Sequence, residues 1–510
     1  MTLVPDSTPV IIGVAQVSER TGQPGYAARS PMDLAGEALS TAIADAGAAG
    51  DLARAIDTLA AIRQFEISTP RAVAPFGKSI NPPRSIARRA GADPARAILE
   101  VVGGQAPQKL VGELAADISK GRSQVAAIVG SEAISTALAL AGMGKKPDWS
   151  EAVGGALEDR GFGMKGLIDT ILIKHGAGAP IPGYALMDNA RRAKKGTPLD
   201  EYRMEIGRLF APFSAVAATN PHAASPVERS AEELATVTPR NRIVAEPYTR
   251  MTVARDQVNQ AAAIVLASAG AARALGVPEE RWVHIHAVTS AKEASVLGRR
   301  DLAESPAAIA SVREALAIAG IGIDAVSLMD LYSCFAIPVF NICNGLGLAP
   351  GDPRGLTLTG GLPFFGGAGN NYSTHAIAEA VMRLRSQPDA YALVGANGGV
   401  MSKYATGIYS CRPARWDGSS RFCELPDAPQ SVEVRDTFEG DATVESYTIL
   451  PGREPPAVVI VARTDDGARI VASLSEHDAA GLAIAVAGEP FGHRVSVTAA
   501  ADGRNQCKFG

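Results

Sequence analysis

Four turns, three of them glycine-rich, hold most of the residues in this chain whose types could do chemistry: GGQAPQ (Gly103–Gln108), DLYSCF (Asp330–Phe335), GGAGNNYSTH (Gly366–His375) and GANGG (Gly395–Gly399). Each follows or ends an apolar run with a strand pattern. Where an α/β strand gives way to a helix, free backbone N–H groups and the positive end of the helix dipole meet in a cleft. Tyr332 and Tyr372 are acid–base candidates there, and Cys334 is a candidate catalytic thiol. His375 lies one turn into the following helix, within reach of the same cleft. Gln105, Asn370 and Asn397 bring carboxamides, and an amide is not a nucleophile. The bland readings stand beside these: a buried structural thiol in CFAIPVF, packed tyrosines, a structural His375, and Gln105 as a helix-start residue before Pro107. His284 and His286 alternate on a strand without a third ligand at metal spacing, so no metal is expected.

The elements that must position these turns repeat. Val10–Val17 reads as a strand, Ser30-Pro31 opens a helix that runs to Gly47, and Ile56–Ile62 and Ala97–Val102 read as further strands. Arg84–Arg89 lies in a short helix; Pro107–Ser119 has its apolar residues on one helical face, and Val125–Gly130 follows as a strand. The same order returns as strand Trp282–Val288, helix Ser305–Gly320, strand Val326–Leu331, a helix from Ile337 and a short strand Leu356–Leu358. A helix through Ile377, Ala380, Val381 and Leu384 leads to strand Tyr391–Gly395. Gln105 precedes Gly130 by 25 residues, as Asn370 precedes Gly395 by 25, which marks a tandem duplication of one α/β unit. The segment 137–250, including a helical stretch Asp188–Leu209, breaks the alternation and reads as an inserted domain, after which Ala261–Ala267 completes the first half. The expected division is 1–136 with 251–277, the insertion 137–250, a second half 278–415, and a β-domain 425–510. That last domain has five strand patterns, Val432–Arg435, Thr443–Leu450, Ala457–Arg463, Ala468–Leu474 and Arg494–Thr498, with Asp466-Gly467 as a hairpin turn, and is expected to close as an oligonucleotide/oligosaccharide-binding-like barrel.

Length and composition narrow the class. At roughly 150 residues per domain, 510 residues suggest about three folding units. With 46% apolar and 20% charged residues the chain is globular, and 49 Lys plus Arg against 53 Asp plus Glu, with no long run of one sign, give no reason to expect nucleic acid. No apolar stretch reaches the 18 or so residues of a membrane span, and the N-terminus lacks a secretory pattern. Five cysteines without a C-x-x-C pair argue against a disulfide framework, so a reducing cytoplasm is the expected compartment; none lies in the first 333 residues.

Taken with IGVAQV, VVGGQAPQKLV, and the NARRA and FSAVAATNPHAAS segments of the insertion, the four turns in this order resemble the thiolase superfamily over about residues 8 to 415. The resemblance is to its sterol-carrier-protein-like branch, and with the extra β-domain to the mycobacterial thiolase-like type 1 proteins. It implies a five-layered αβαβα core. It places the nucleophilic Cys position at Gln105, the activating His at Asn370, and the branch's H-D-C-F motif at Tyr332, Ser333, Cys334 and Phe335. Ordinary thiolysis is then excluded by the missing thiolate. What the resemblance leaves is an acyl-CoA thioester as substrate or ligand, no tightly bound cofactor, and an oxyanion hole of Asn370 with the Gly398 and Gly399 amides beside Asn397, worth about 3 to 4 kcal/mol per donor. Three roles follow: a non-thiolase acyltransferase or carbon–carbon chemistry, a retro-aldol reaction through Tyr332 and Tyr372, or acyl-CoA or partner binding without catalysis. A cleft filled by Phe364 or Phe365 would favour the last. The family is commonly oligomeric, but the added domain suggests a monomer or at most a homodimer, with the β-domain as a possible dock for a protein partner.

Overall fold

The computed structural model describes residues 4–510 apart from 165, 166, 168 and 453. The first three residues of the expected N-terminal half and three of the insertion therefore lie outside the described residues. The first half contributes β1 (Pro9–Ser18), β2 (Thr58–Ala61), β3 (Arg96–Leu99), β4 (Val125–Ala133) and β5 (Asn259–Ser268). The second contributes β6 (Val283–Lys292), β7 (Val326–Asp330), β8 (Tyr391–Gly398) and β9 (Lys403–Ser410). The strand orders are β3-β2-β4-β5-β1 and β7-β8-β9-β6. In the first half β2 runs parallel to β4, and β4 and β1 flank β5 antiparallel; in the second β7 runs parallel to β8, and β8 and β6 flank β9 antiparallel. The repeat seen in the sequence is thus a repeat of topology. The halves join where Val10 pairs with His284 and Ile11 with Val283.

Two helices lie between the halves. α1 (Pro31–Asp45), begun by a Ser30/Asp33 capping box, covers the outer face of the first half. α2 (Ala106–Ser119) touches strands of both halves, and is buried on almost every side. The insertion supplies α3 (Pro180–Lys195) and α4 (Leu199–Thr219). The single stretch expected there is two helices because Gly196, at φ 62°, caps α3 and Pro198 precedes α4. α5 (Pro306–Ala319) covers the outer face of the second half, α6 (Ala336–Leu346) follows β7, and α7 (Tyr372–Ser386) joins α2 in the central layer. The result is the layered αβαβα arrangement. Among the described residues no helix is long and apolar enough to cross a membrane.

Leu356–Leu358 is not a strand. The buried Asp330 carboxylate at the end of β7 accepts the N–H groups of Leu358 (2.8 Å) and Thr359 (3.2 Å), so a side chain takes the bonds a ladder would need. The outer edge of β3 is closed by the chain itself: Glu158 and Asp159 pair in parallel with Ile98 and Leu99, and Arg160 bonds Glu100 at 2.7 Å.

The C-terminal domain is a closed barrel of β10 (Gly440–Leu450), β11 (Ala457–Thr464), β12 (Arg469–Leu474), β13 (Arg494–Ala499) and β14 (Asn505–Phe509), in the order β10-β11-β12-β14-β13, with α8 (Ala479–Ala487) between β12 and β13. Val432–Arg435, expected as the first strand, makes only a bridge from Val434 to Arg469. Its place in the barrel is taken by β14, which pairs with both β12 and β13. The barrel is pinned to the core by buried polar groups. Ser446 donates to the Leu186 carbonyl (2.5 Å), and Asn189 donates to the Glu246 and Tyr447 carbonyls (2.8 and 2.9 Å). Arg469, with no exposed surface, pairs with Glu445 (2.7 Å) and donates to the carbonyls of Leu297 (2.5 Å) and Arg299 (2.7 Å). Glu445 also holds Arg463 at 3.0 Å.

Arg469→Met keeps the bulk but leaves two buried carbonyls without donors. It is expected to lower stability by about 3 kcal/mol in a urea titration. Amide exchange should rise at 297–299 and, through Arg299, at 399–402, while β1 stays protected. Unchanged exchange at 399–402 would show that barrel and core are held independently.

Candidate functional site

The N-termini of α2 and α7 meet between the two halves, and Gln105 and Asn370 stand at them. Asn370 is 3% exposed and fully engaged within the protein. Its Oδ1 accepts the Gly103 N–H (2.9 Å), and its Nδ2 donates to the Arg63 carbonyl (2.6 Å) and to Ser68 Oγ (3.1 Å). Where a thioester oxygen was expected as acceptor, both N–H groups fasten one half to the other. Gln105 Oε1 is buried without a hydrogen-bond partner, against Gly103 and Gly398. A side chain at Gly398 would collide with it, so glycine is required there to admit the carboxamide. Tyr332 completes this group, its hydroxyl over Gly104 and beside the Asn397 carbonyl.

Cys334 belongs to a neighbouring network. Asn397 Nδ2 donates to Cys334 Sγ (3.7 Å) and to the Tyr184 hydroxyl (2.7 Å). Tyr184, from α3, donates onward to the Gly399 carbonyl (2.7 Å), accepts the Met401 N–H (3.2 Å), and stacks on Phe335 at 4.2 Å. With its proton committed to Gly399, Tyr184 accepts from Asn397, which leaves Asn397 Oδ1 as an unpartnered buried acceptor. Arg299, wholly buried, donates to the Val400 and Met401 carbonyls (both 2.9 Å) and holds this turn, in which Gly399 has φ +63° and Met401 φ +48°. Burial pulls its guanidinium down to about 10.

Of the groups singled out in the sequence, Cys334, Tyr332 and His375 are all moved away from neutral pH. Burial pushes the Cys334 thiol up to about 12 and Tyr332 well above the phenol range. Tyr372 donates to Asp330 (3.0 Å) and shares a 2.6 Å bond with Thr359. His375 turns away from Gln105. Its Nδ1 bonds Gln16 Oε1 (2.8 Å), its ring packs on Phe365 at 5.2 Å, and burial lowers it to about 3, so it is neutral and its expected reach into the cleft is corrected. Phe364 and Phe365 are buried, with Phe365 edge-on to Tyr372 at 6.0 Å. The structure therefore gathers Gln105, Asn370, Tyr332, Asn397, Gly398 and Gly399 at one place, sets Cys334 behind Asn397, and gives Tyr372 and His375 to the scaffold.

Several contributors escaped the sequence reading. Tyr184 and Arg299 carry no motif and approach from distant segments. Glu132, also missed, lies against Gly369 and accepts the Phe65 N–H at 2.8 Å; burial raises it to about 8. Two cavities lie elsewhere, one of about 510 Å³ lined by Val73, Ile80 and Ser150, and one of about 410 Å³ between the insertion and the barrel.

Residues 424–503 match the family model described as the thiolase-like protein type 1 additional C-terminal domain. The chain is 42% identical, over 100% of both chains and with a TM-score of 0.84, to a monomeric SCP2-thiolase like protein type 1 from Mycobacterium smegmatis. It shares its fold with an Ltp2–ChsH2(DUF35) aldolase, at 20% identity and TM-score 0.57 over 81% of this chain and 100% of that one. It likewise shares it with human mitochondrial 3-ketoacyl-CoA thiolase in complex with CoA, at 17% and 0.53 over 79% and 98%. No curated protein matches it.

Asn370→Ala strands the Gly103 N–H and the Arg63 carbonyl, and is expected to cost about 1 to 3 kcal/mol in a urea titration. A loss within error of zero would show that water replaces the carboxamide. Glu132 gives a pH signature. Between its ordinary 4.5 and about 8 the folded chain holds a proton that the unfolded chain releases. Its contribution to stability is therefore complete below pH 4.5 and is lost as pH rises toward 8. The difference in melting temperature between Glu132→Gln and the unaltered chain should change across that window and be flat above it.

Proposed function

This chain belongs to the SCP2-thiolase-like protein type 1 family, and from that premise we propose that it binds an acyl-CoA thioester and does not turn it over by thiolysis. The observation that carries the reading is Gln105 at the head of α2. The resemblance places the nucleophilic thiolate there, and this chain presents a wedged carboxamide. Thiolysis needs a thiolate and a base that titrates near neutral pH. Cys334 is a protonated buried thiol, and the neutral His375 is bonded to Gln16 rather than to any reacting group. Binding is supported by the shared fold with a thiolase seen in complex with CoA.

The retro-aldol alternative is weaker for a physical reason. It requires a base to take the hydroxyl proton, and burial keeps Tyr332 and Tyr372 protonated, with Tyr372 further bonded to Asp330. The non-catalytic role is the reading we favour. A monomer fits it as well: the relative from Mycobacterium smegmatis is described as monomeric, and here the β3 edge is already paired by the chain's own 158–159 segment.

Calorimetric titration with CoA, acetyl-CoA and a long-chain acyl-CoA is expected to show saturable binding. Acetoacetyl-CoA mixed with CoA should lose its enolate absorbance no faster than in buffer. Thiolysis above that rate would overturn the non-catalytic reading, and absence of binding by every CoA species would overturn the acyl-CoA reading itself.

A further inference from the structure

We propose that the cleft between the insertion and the barrel is a second ligand site, one that receives the phosphate group of a small organic phosphate. The cleft, about 410 Å³, is of the size that holds such molecules, and it lies at a domain boundary, where ligand sites concentrate. Lys174 and His175 form its wall on the insertion side; Leu474, Glu476, Arg504 and Gln506 are on the barrel side.

His175 is the residue that asks for a ligand. It is 5% exposed, its Nδ1 bonds Ser473 Oγ at 2.9 Å, and its Nε2 is buried without a partner. An orphaned buried nitrogen of this kind is a standing penalty that a bound group would remove. Lys174 and Arg504 flank it closely enough that their charges, after burial, are what hold the imidazole down to about 4. Each cation is fixed from the outer side, Lys174 by Asp436 (2.9 Å) and Arg504 by Asp502 (2.6 Å). Arg504 commits its Nε and one Nη2 hydrogen to Asp502, and Lys174 one hydrogen to Asp436, so both keep donors for an oxyanion. Among the described lining residues Glu476 is the acidic one; its charge acts on Arg504 and opposes a phosphate. The apolar wall formed by Leu474 with Ile173 and Leu450 suits the carbon body that carries the phosphate.

Two sources supply this chemistry: a free phosphorylated metabolite, or the phosphates of CoA, which would rest on the reading above. The experiment uses the full chain with inorganic phosphate as the probe, by calorimetry at low ionic strength, and with CoA and pantetheine as further arms. Saturable phosphate binding is expected, weakened about tenfold or more by Arg504→Gln and tightened by Glu476→Gln. The His175 imidazole signal, in histidine-labelled protein, should shift with phosphate and not with chloride of equal ionic strength. Arg504 is half exposed, so its variant should melt as the unaltered chain does, and Lys174→Gln provides a second test. If Arg504→Gln weakens CoA by the same factor and leaves pantetheine unaffected, the phosphate is CoA's. If only inorganic phosphate responds, the ligand is a free phosphorylated metabolite. No saturable phosphate binding, or binding that both variants leave unchanged, overturns the proposal. Inorganic phosphate does not need the Gln105 site, so this result and the CoA titration fail or succeed separately.

Discussion

The burial of α2 and α7 between two half-sheets is the constraint from which the rest of the centre follows. A helix begins with backbone N–H groups that lack partners inside the helix, and at a surface water takes them. Here strands of both halves exclude water from both starting points, so the protein must provide acceptors of its own. Asn370 serves the loop that leads into α2, its carboxamide joining Gly103 of the first half to the turn that opens α7. The same confinement raises Cys334 and Tyr332 and lowers His375, since each shift is dominated by loss of solvent rather than by a charged neighbour. These shifts are therefore a property of the layer, more than of any one substitution.

The duplicated frame was legible because its signals are local. Ser30 and Pro31 cap a helix whatever else the chain does, and the 25-residue spacing from turn to strand end survives in both halves. The failures occur where a side chain from elsewhere outvotes local pattern. Leu356–Leu358 has strand residues, but the Asp330 carboxylate claims their N–H groups. β9 went unread because it follows the glycine turn without a loop and is made a strand by neighbours on both sides, β8 and β6. β14 lies after a turn at the end of the chain and owes its state to closing the barrel. The composition of the site was partly legible, since Gln105, Asn370, Tyr332 and Asn397 do assemble. Their bonding was not: Arg63 and Ser68 lie some three hundred residues from Asn370, and Tyr184 arrives from an inserted helix.

The added barrel is part of the core's mechanics. Arg469 grips the carbonyls of Leu297 and Arg299, Arg299 grips those of Val400 and Met401, and Tyr184 bonds both sides of the same turn. A strained Met401 backbone persists because it is held at the carbonyl by one segment and at the N–H by another. Removing the barrel would thus unsettle a turn that it holds through Arg299.

The place of β1 in the sheet sets a timetable. It is the first strand synthesised, yet its two neighbours are β5 and β6, with Pro9 opposite Ser268 and Val10 opposite His284. At ribosomal speeds of about 5 to 20 residues per second, an apolar ten-residue segment waits roughly 12 to 50 seconds with both edges open. The insertion emerges during that interval, before either neighbour of β1 is complete. Slowing synthesis ahead of residue 268 would lengthen that exposure.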